Sequence, residues 1–523
     1  MARVDSGSWR ALAAVLAAAA CGGGGGGGGP PSGSGGPWLP FSGWGVFAVD
    51  MSSPAAAPVT IDSTSNVGGL RLVQRGTYDP ASGAVSGVEP YAAIWIAGGK
   101  IWRASATAGG TPAVAQVSSE ANVGDPSPLN PTPFHLCDTA VVNDWANPGE
   151  SRFFYTLAGS DKQCGTADDV EKSTRLAAPA SEAPVTVPGK RVAAIQAPAT
   201  GTLSGWLVLG TSFVRTDASF ANPVVVLAGV GAAALVARTP SQMLLRVHSS
   251  STVRVQRFDP SAGTLDSTAL FTLPGGISAT TGATAQDATN AYMIAYDASF
   301  APSLYRLPLS ATLADSAVQM TSEAGRTVTS LLFQTNNKVA FTVSTSGTAS
   351  LVAVDKTAAG AAAAPALGAA FPSGTSLTPI AALGDKVYFN SAAASGARTA
   401  RAFDEAGTSA IAQANADWLG FTEVGSTSTA VLATGLSATG KYGGATVSTL
   451  VVATGASGIT LGTLPAEIDS VERARWSGPK GLLRGFTLAS GGATYGEILF
   501  ADAGTAGSLV RVTNTSSVSE FLP

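Results

Sequence analysis

The chain of 523 residues is 45% apolar and only 12% charged, with 62 Gly and 30 Pro; its charged share is about half that of an average globular domain. That balance excludes a disordered polyelectrolyte, which combines low hydrophobicity with high net charge, and a coiled coil, which is dense in Glu, Lys, Leu and Arg. A formal charge of -4 argues against a nucleic-acid footprint, and two histidines and three cysteines leave little material for metal or nucleophile chemistry.

Residues 1–20 read as a secretory signal. Arg3 and Arg10 make the front end positive, and Ala11 to Ala20 form an apolar stretch that ends in small residues. The stretch suits an h-region and is too short to span a bilayer. Cys21 follows directly, then eight consecutive glycines, two prolines and a Ser/Gly run to Gly36. A run of that composition is a flexible coil, which a tether between an anchor and a folded domain needs. Small residues followed by Cys21 resemble the lipobox of bacterial lipoproteins, although Ala18 stands where that family prefers Leu. The resemblance implies that Cys21 is lipidated and becomes the mature N-terminus. Gly22, in place of Asp, resembles the pattern that permits transfer to the outer membrane. The expected location is therefore the cell envelope, anchored to the outer membrane and facing either the periplasm or the surface. An ordinary cleaved signal is the alternative.

With Cys21 lipidated, Cys137 and Cys164 remain as one pair. In an exported chain an even remainder points to a disulfide, worth roughly 3 kcal/mol through the unfolded state for a loop of this length. Two buried free thiols are the other reading. Around Cys164, Gly159–Asp169 reads GSDKQCGTADD. It resembles acidic, Gly-turned loops of exported bacterial proteins in which carboxylates hold calcium. Asp161, Asp168 and Asp169 are oxygen donors suited to a hard cation, but the EF-hand pattern is absent and Lys162 adds a positive charge. The competing expectation is a disulfide-pinned surface loop without a metal.

Further along, Val224–Ala234 (VVVLAGVGAAA) resembles a dinucleotide fingerprint. That mechanism needs a following helix and an acid about 20 residues on, and neither is present, so the expectation is a buried strand and a turn. Four segments then align: Met243–Asp259, Ala291–Leu309, Lys338–Asp355 and Lys386–Asp404. Their starts lie 48, 47 and 48 residues apart. Each is a short apolar strand, a small-residue turn and an alternating strand. Looser copies occupy Ala92–Ala106, Ser151–Leu176, Gly205–Asp217, Thr429–Ala453 and Leu482–Ala501. Several end in an aromatic residue and Asp before a Gly, as at Asp79, Asp259 and Asp404, where Asp opens a turn by bonding its own backbone. Almost nothing reads as helix.

A period of about 48 residues with paired strands resembles a β-propeller blade. The resemblance implies an all-β fold in which about eight blades fit residues 92–523, with seven as the alternative. Val46–Asp50 is expected to pair with the C-terminal blade and close the ring. The expected organisation is a signal peptide over 1–20, lipidated Cys21 and tether over 21–41, and a propeller domain over 42–523.

His135 and His248 belong to no metal spacing, and no G-x-S-x-G elbow occurs. The nine tryptophans, Trp95, Trp102 and Trp418 among them, suit packing between blades or, alternatively, a carbohydrate platform. The function expected is a lipid-anchored ligand- or protein-binding scaffold, without a resident cofactor unless calcium binds. Its partners would be the membrane, through the lipid, and an envelope protein or glycan. The alternative is a propeller enzyme: a hydrolase, a glycan lyase or a quinone-dependent dehydrogenase. The last family carries A-x-D-x-x-T-G-K-x-x-W repeats, of which only D-P-x-x-G fragments occur here. An enzyme should gather perturbed carboxylates, Arg or Tyr at one channel mouth.

Overall fold

The structure is a computed structural model that describes most of residues 38–521. Residues 1–37, 43–45, 51–58, 64–66, 79–84, 106–112, 121–135, 197–202, 273–283, 297–300, 489–493, 514–519 and shorter stretches lie outside it. Cys21, His135, Trp44, the leader and residues 22–37 of the expected tether therefore lie outside the described residues. The described residues form forty strands, β1 to β40 in chain order, with no α-helix and a single 3-10 turn at Pro148–Glu150.

The strand β21 (Asn290–Tyr296) shows why this sequence builds sheets. It is apolar at consecutive positions, and its five central residues are all buried. Successive side chains of a strand point to opposite faces, so such a run needs a hydrophobic layer on both sides. Ala291, Met293 and Ala295 join one core cluster, while Tyr292 and Ile294 join another. The strand β29 (Lys386–Ala392) repeats the arrangement, with Val387 and Phe389 on one side and Tyr388 on the other.

The strands form ten four-stranded antiparallel sheets. Eight follow one another through residues 136–511: β8–β11, β12–β15, β16–β19, β20–β23, β24–β27, β28–β31, β32–β35 and β36–β39; all are consecutive meanders except β24–β27, where the two short strands β24 and β25 share one edge of β26 and β27 takes the other. They are blades 3 to 10. Blade 2 is β4–β7 (68–117), and blade 1 combines β1 (Trp38–Ser42), β2 (Val46–Asp50) and β3 (Val59–Asp62) with the C-terminal β40 (Glu520–Phe521). Ten buried clusters lie one in each gap between neighbouring sheets. The gap between blade 10 and blade 1 is filled by Phe41, Leu482, Ile498 and Phe500. That last cluster makes the row of sheets a closed ring, a β-propeller. Fully burying one such Leu, Ile or Phe is worth about 1.5–3 kcal/mol, so the gaps carry most of the stabilisation.

The nine sequence segments that aligned with the repeat fall one in each of blades 2 to 10, as the second and third strands in eight of them and as β26 and β27, after the split inner edge of β24 and β25, in blade 7. The expected eight blades describe residues 136–511, and residues 38–117 add two more sheets to the same ring. Blade 2 keeps only the loose copy at Ala92–Ala106 because β4 (Gly68–Tyr78) and β5 (Val85–Ala97) are long and bulged, and blade 1 escapes the rhythm because it is assembled from both chain ends. Val46–Asp50 belongs to the closing sheet, but the strand that pairs with the C-terminus is β1, through Phe41↔Phe521 and Ser42↔Glu520. The propeller thus starts at Trp38, inside the segment expected to be tether. A second correction concerns Val224–Ala228. It is the last strand of blade 4, with Val224 and Val225 55% and 60% exposed instead of buried.

The first strands of neighbouring blades lie against one another, which places them at the axis. In blades 2, 3, 4, 5, 8, 9 and 10 this innermost strand carries an extra residue opposite its partner. Examples are Cys137, Val192, Val236, Ile380 and Leu419. Arginines on third strands join blades: Arg103 donates to Leu176 O of the next blade at 2.9 Å, Arg257 to Leu309 O at 3.2 Å and to Ala311 O, and Arg306 to Lys356 O.

Because β40 is the innermost strand of blade 1, a chain ending at Val518 should melt at a lower temperature and be cut faster by protease than the full chain. An unchanged melt would show that the ring does not depend on β40.

Candidate functional site

The sequence-predicted site is the loop between β9 (Arg152–Leu157) and β10 (Val170–Arg175). Its Cys164 is bonded to Cys137, with Cα atoms 5.3 Å apart. Cys137 is the extra residue of β8 (Leu136–Val142), where the register passes from Leu136↔Leu157 to Asp138↔Thr156. A bulge re-aims a side chain out of the regular ladder, and here it frees Cys137 to meet the loop. The bond holds the loop inward, beside an innermost strand and so near the channel rim.

Within the loop, Asp161, Asp168 and Asp169 do converge, on the Thr166 hydroxyl. Thr166 Oγ1 lies 2.8 Å from Asp168 Oδ1, 3.3 Å from Asp169 Oδ1, 3.4 Å from Asp161 Oδ1 and 3.0 Å from the Gln163 carbonyl. Asp161 also accepts the Gln163 N–H at 2.8 Å, Asp169 accepts the Gly165 N–H at 2.6 Å, and Asp168 accepts the Ser160 hydroxyl at 3.0 Å. The hydroxyls of Thr166 and Ser160 hold the Asp168 carboxyl down at about 2. Gly159 is required by contact, since a Cβ there would stand 2.1 Å from Asp168 Cγ. The carboxylates are thus engaged by the loop's own donors, and among the described residues no group of three or more His, Cys, Asp and Glu is placed to hold a metal ion. The disulfide of the pinned-loop reading is present.

The turn reading of the aspartates is visible at two repeats. Asp259 accepts the Ala262 N–H at 3.0 Å, and Asp404 accepts those of Ala406 at 3.0 Å and Thr408 at 2.8 Å. Trp95 and Trp418 are buried in gaps between blades, with Trp95 Nε1 donating to Asp62 at 2.9 Å and Trp418 Nε1 to Arg401 O at 3.0 Å. Packing, not a sugar platform, describes both. His248 lies in β17 (Met243–Ser249), a blade strand as expected. No helix follows Val224–Ala228; the next element is the strand β16 (Ala232–Arg238).

Sequence reasoning missed three tyrosine–carboxylate clusters. Tyr155 donates to Glu120, which also pairs with Lys172 at 2.5 Å. Tyr292 donates to Asp287 at 2.8 Å. Tyr442 donates to Asp417, which also receives Arg398. Burial first, and then the neighbouring carboxylate, pushes all three phenols up. Burial opposes charge on Asp287, but bonds from the Thr289 N–H, Tyr292, the Asn290 N–H and the Thr289 hydroxyl outweigh it and hold it at about 2. Burial likewise opposes charge on Arg398, and Tyr442 and Asp417 outweigh it. The clusters sit in different blades and do not converge on one mouth. Sequence separations of 35 residues for Tyr155–Glu120 and 25 for Tyr442–Asp417 leave no local motif by which to find those two, whereas Asp287 and Tyr292 are only 5 residues apart.

No protein-family profile and no curated protein matches the sequence. Among solved structures the chain is similar to a prolyl endopeptidase (10% identity, TM-score 0.32, covering 70% of this chain and 54% of that one). It is also similar to a puromycin-hydrolyzing peptidase of Mycobacterium tuberculosis (9%, 0.34, 73% and 53%) and to oligopeptidase B of Leishmania major (9%, 0.34, 75% and 50%). The chain spans about half the length of these proteins. Likeness of this degree carries no argument about activity.

Replacing Cys137 and Cys164 by Ser together should lower stability by about 3 kcal/mol, read as a drop in melting temperature relative to the non-reduced parent. Excess EDTA should leave the melt of the parent unchanged. A fall on chelation that calcium restores would instead assign the loop to a cation.

Proposed function

We propose that this chain is an exported, lipid-anchored β-propeller that acts as a ligand- or protein-binding scaffold of the cell envelope. The observation that carries the reading is the Cys137–Cys164 bond. Disulfides persist in oxidising compartments, and this one agrees with the secretory character of residues 1–20 and the lipobox-like approach to Cys21. The Gly/Pro/Ser composition of residues 22–36 suits a tether that would let the ring stand off the membrane while its end loops meet a partner. The partner is an envelope protein or a glycan, and attachment is through lipid on Cys21, most simply at the outer membrane.

The enzyme alternative would draw on reactive groups gathered at one mouth. Tyr155, Tyr292 and Tyr442, whose phenols are pushed up, are instead tied to carboxylates in blades 3, 6 and 9, where they fix loops. That distribution supports binding over catalysis.

Mass analysis of the native protein tests the anchor. The mature chain is expected to begin at Cys21 and to carry the mass of attached acyl chains, and Cys21→Ser should release it from the membrane fraction. An unmodified N-terminus downstream of residue 21 would overturn the anchor.

A further inference from the structure

The end of the ring that carries the acidic loop of blade 3 also carries the turns between second and third strands and the connections from one blade to the next, because adjacent strands alternate in direction. At this end, between blades 8 and 9, three side chains meet. Arg398 opens β30 (Arg398–Asp404), Asp417 lies at the start of β32 (Ala416–Val424), and Tyr442 sits in the loop before β34 (Thr446–Val451). Arg398 Nη1 donates to Asp417 Oδ2 and lies 3.2 Å from the Tyr442 hydroxyl, which donates to the same carboxylate oxygen. Asp417 and Tyr442 are buried, whereas the Arg398 side chain is 37% exposed.

The guanidinium of Arg398 is less fully bonded than those of Arg175 and Arg511, a feature it shares with Arg306 and Arg326. Arg175 commits Nε and both Nη atoms to Glu182 and Glu150. Arg511 commits all three nitrogens to Thr513 O, Glu467 and Glu497. Arg398 bonds only through Nη1, so its Nε–Nη2 edge is uncommitted. A planar fork of that kind matches a carboxylate with two parallel N–H donors.

Space is kept at that edge by Gly440, where a Cβ would stand 3.2 Å from Arg398 Nε and 2.4 Å from Gly396 O. The next residue, Lys441, is 61% exposed, with Nζ 2.6 Å from Asp469, which is only 18% exposed. In both ion pairs the acid is therefore the more buried partner and the cation faces outward. A solute approaching from water meets positive charge first, although the group as a whole is neutral.

We propose that the Nε–Nη2 edge of Arg398, braced by Asp417 and Tyr442 and flanked by Lys441, is a recognition site for a carboxylate group on the partner. Asp417 and Tyr442 are positioning residues: they hold the guanidinium plane still, so that little freedom is lost when the second pair of bonds forms. The site deepens the binding-scaffold reading and rests on it for the presence of a partner. Its test is independent of the N-terminal mass, so either can fail alone.

The test is peptide mapping of phenylglyoxal labelling on the full chain. Arg398 should be labelled in chloride and protected several-fold in succinate of equal ionic strength, while Arg175 and Arg511, whose edges are occupied, should be indifferent to the change of anion. Lys441→Gln, at an exposed position, should fold normally and weaken the protection. Galacturonate and a short peptide with a free C-terminus, used in place of succinate, separate a uronic-acid source from a chain-terminal one. Equal labelling of Arg398 in succinate and chloride overturns the proposal, as does undiminished protection in Lys441→Gln.

Discussion

The fold depends on strands that are apolar on both faces. A strand such as Asn290–Tyr296 cannot rest in a sheet with one wet side. It needs a neighbouring sheet on each side, and those neighbours, built from the same repeat, need neighbours in turn. Closure into a ring is the arrangement that leaves no end sheet with a bare hydrophobic face. The cluster of Phe41 with Leu482, Ile498 and Phe500 is therefore equivalent to every other gap, although it joins residues from opposite ends of the chain. The scarcity of charge follows from the same demand, because a charged side chain within a blade must find a partner, as Arg103, Arg257 and Arg306 do at carbonyls of the next blade.

A sheet-rich ring still exposes strand edges along its axis. The extra residues of the innermost strands answer this. A bulge interrupts the regular spacing of N–H and C=O groups and increases local twist, so these edges are poor templates for a foreign strand. In blades 5 and 9 the extra residues are apolar, Val236 and Leu419, and they pack into the adjacent gap. In blade 3 the extra residue is Cys137, and the same irregularity serves a covalent bond. One backbone device thus supports packing in some blades and pins a loop in another.

The middle hairpins were legible in the sequence because burial on both faces imposes continuous apolar runs, as in Met243–Ser249 and Lys338–Thr345, separated by small-residue turns. The Asp-opened turns at Asp259 and Asp404 were legible for an equally local reason. First and last strands were not. Val224 and Val225 look like core residues, yet they fall on an outermost strand, a position that is set by ring geometry and not by residue type. The pairing of Cys137 with Cys164 followed from parity, but the gathering of three aspartates around Thr166 could not be seen without the loop's path. Arg398, Asp417 and Tyr442 were illegible for the same reason, since strands from two blades bring them together.

Placing the C-terminal Glu520–Phe521 beside Phe41 has a consequence for how the protein is made. A chain that emerges from its N-terminus presents β1, β2 and β3 first, and their innermost partner arrives last. Until β40 has emerged, the apolar flanks of the first and final sheets face water. Such a late-closing molecule is exposed to self-association before closure, and a chaperone would act most usefully on those two flanks.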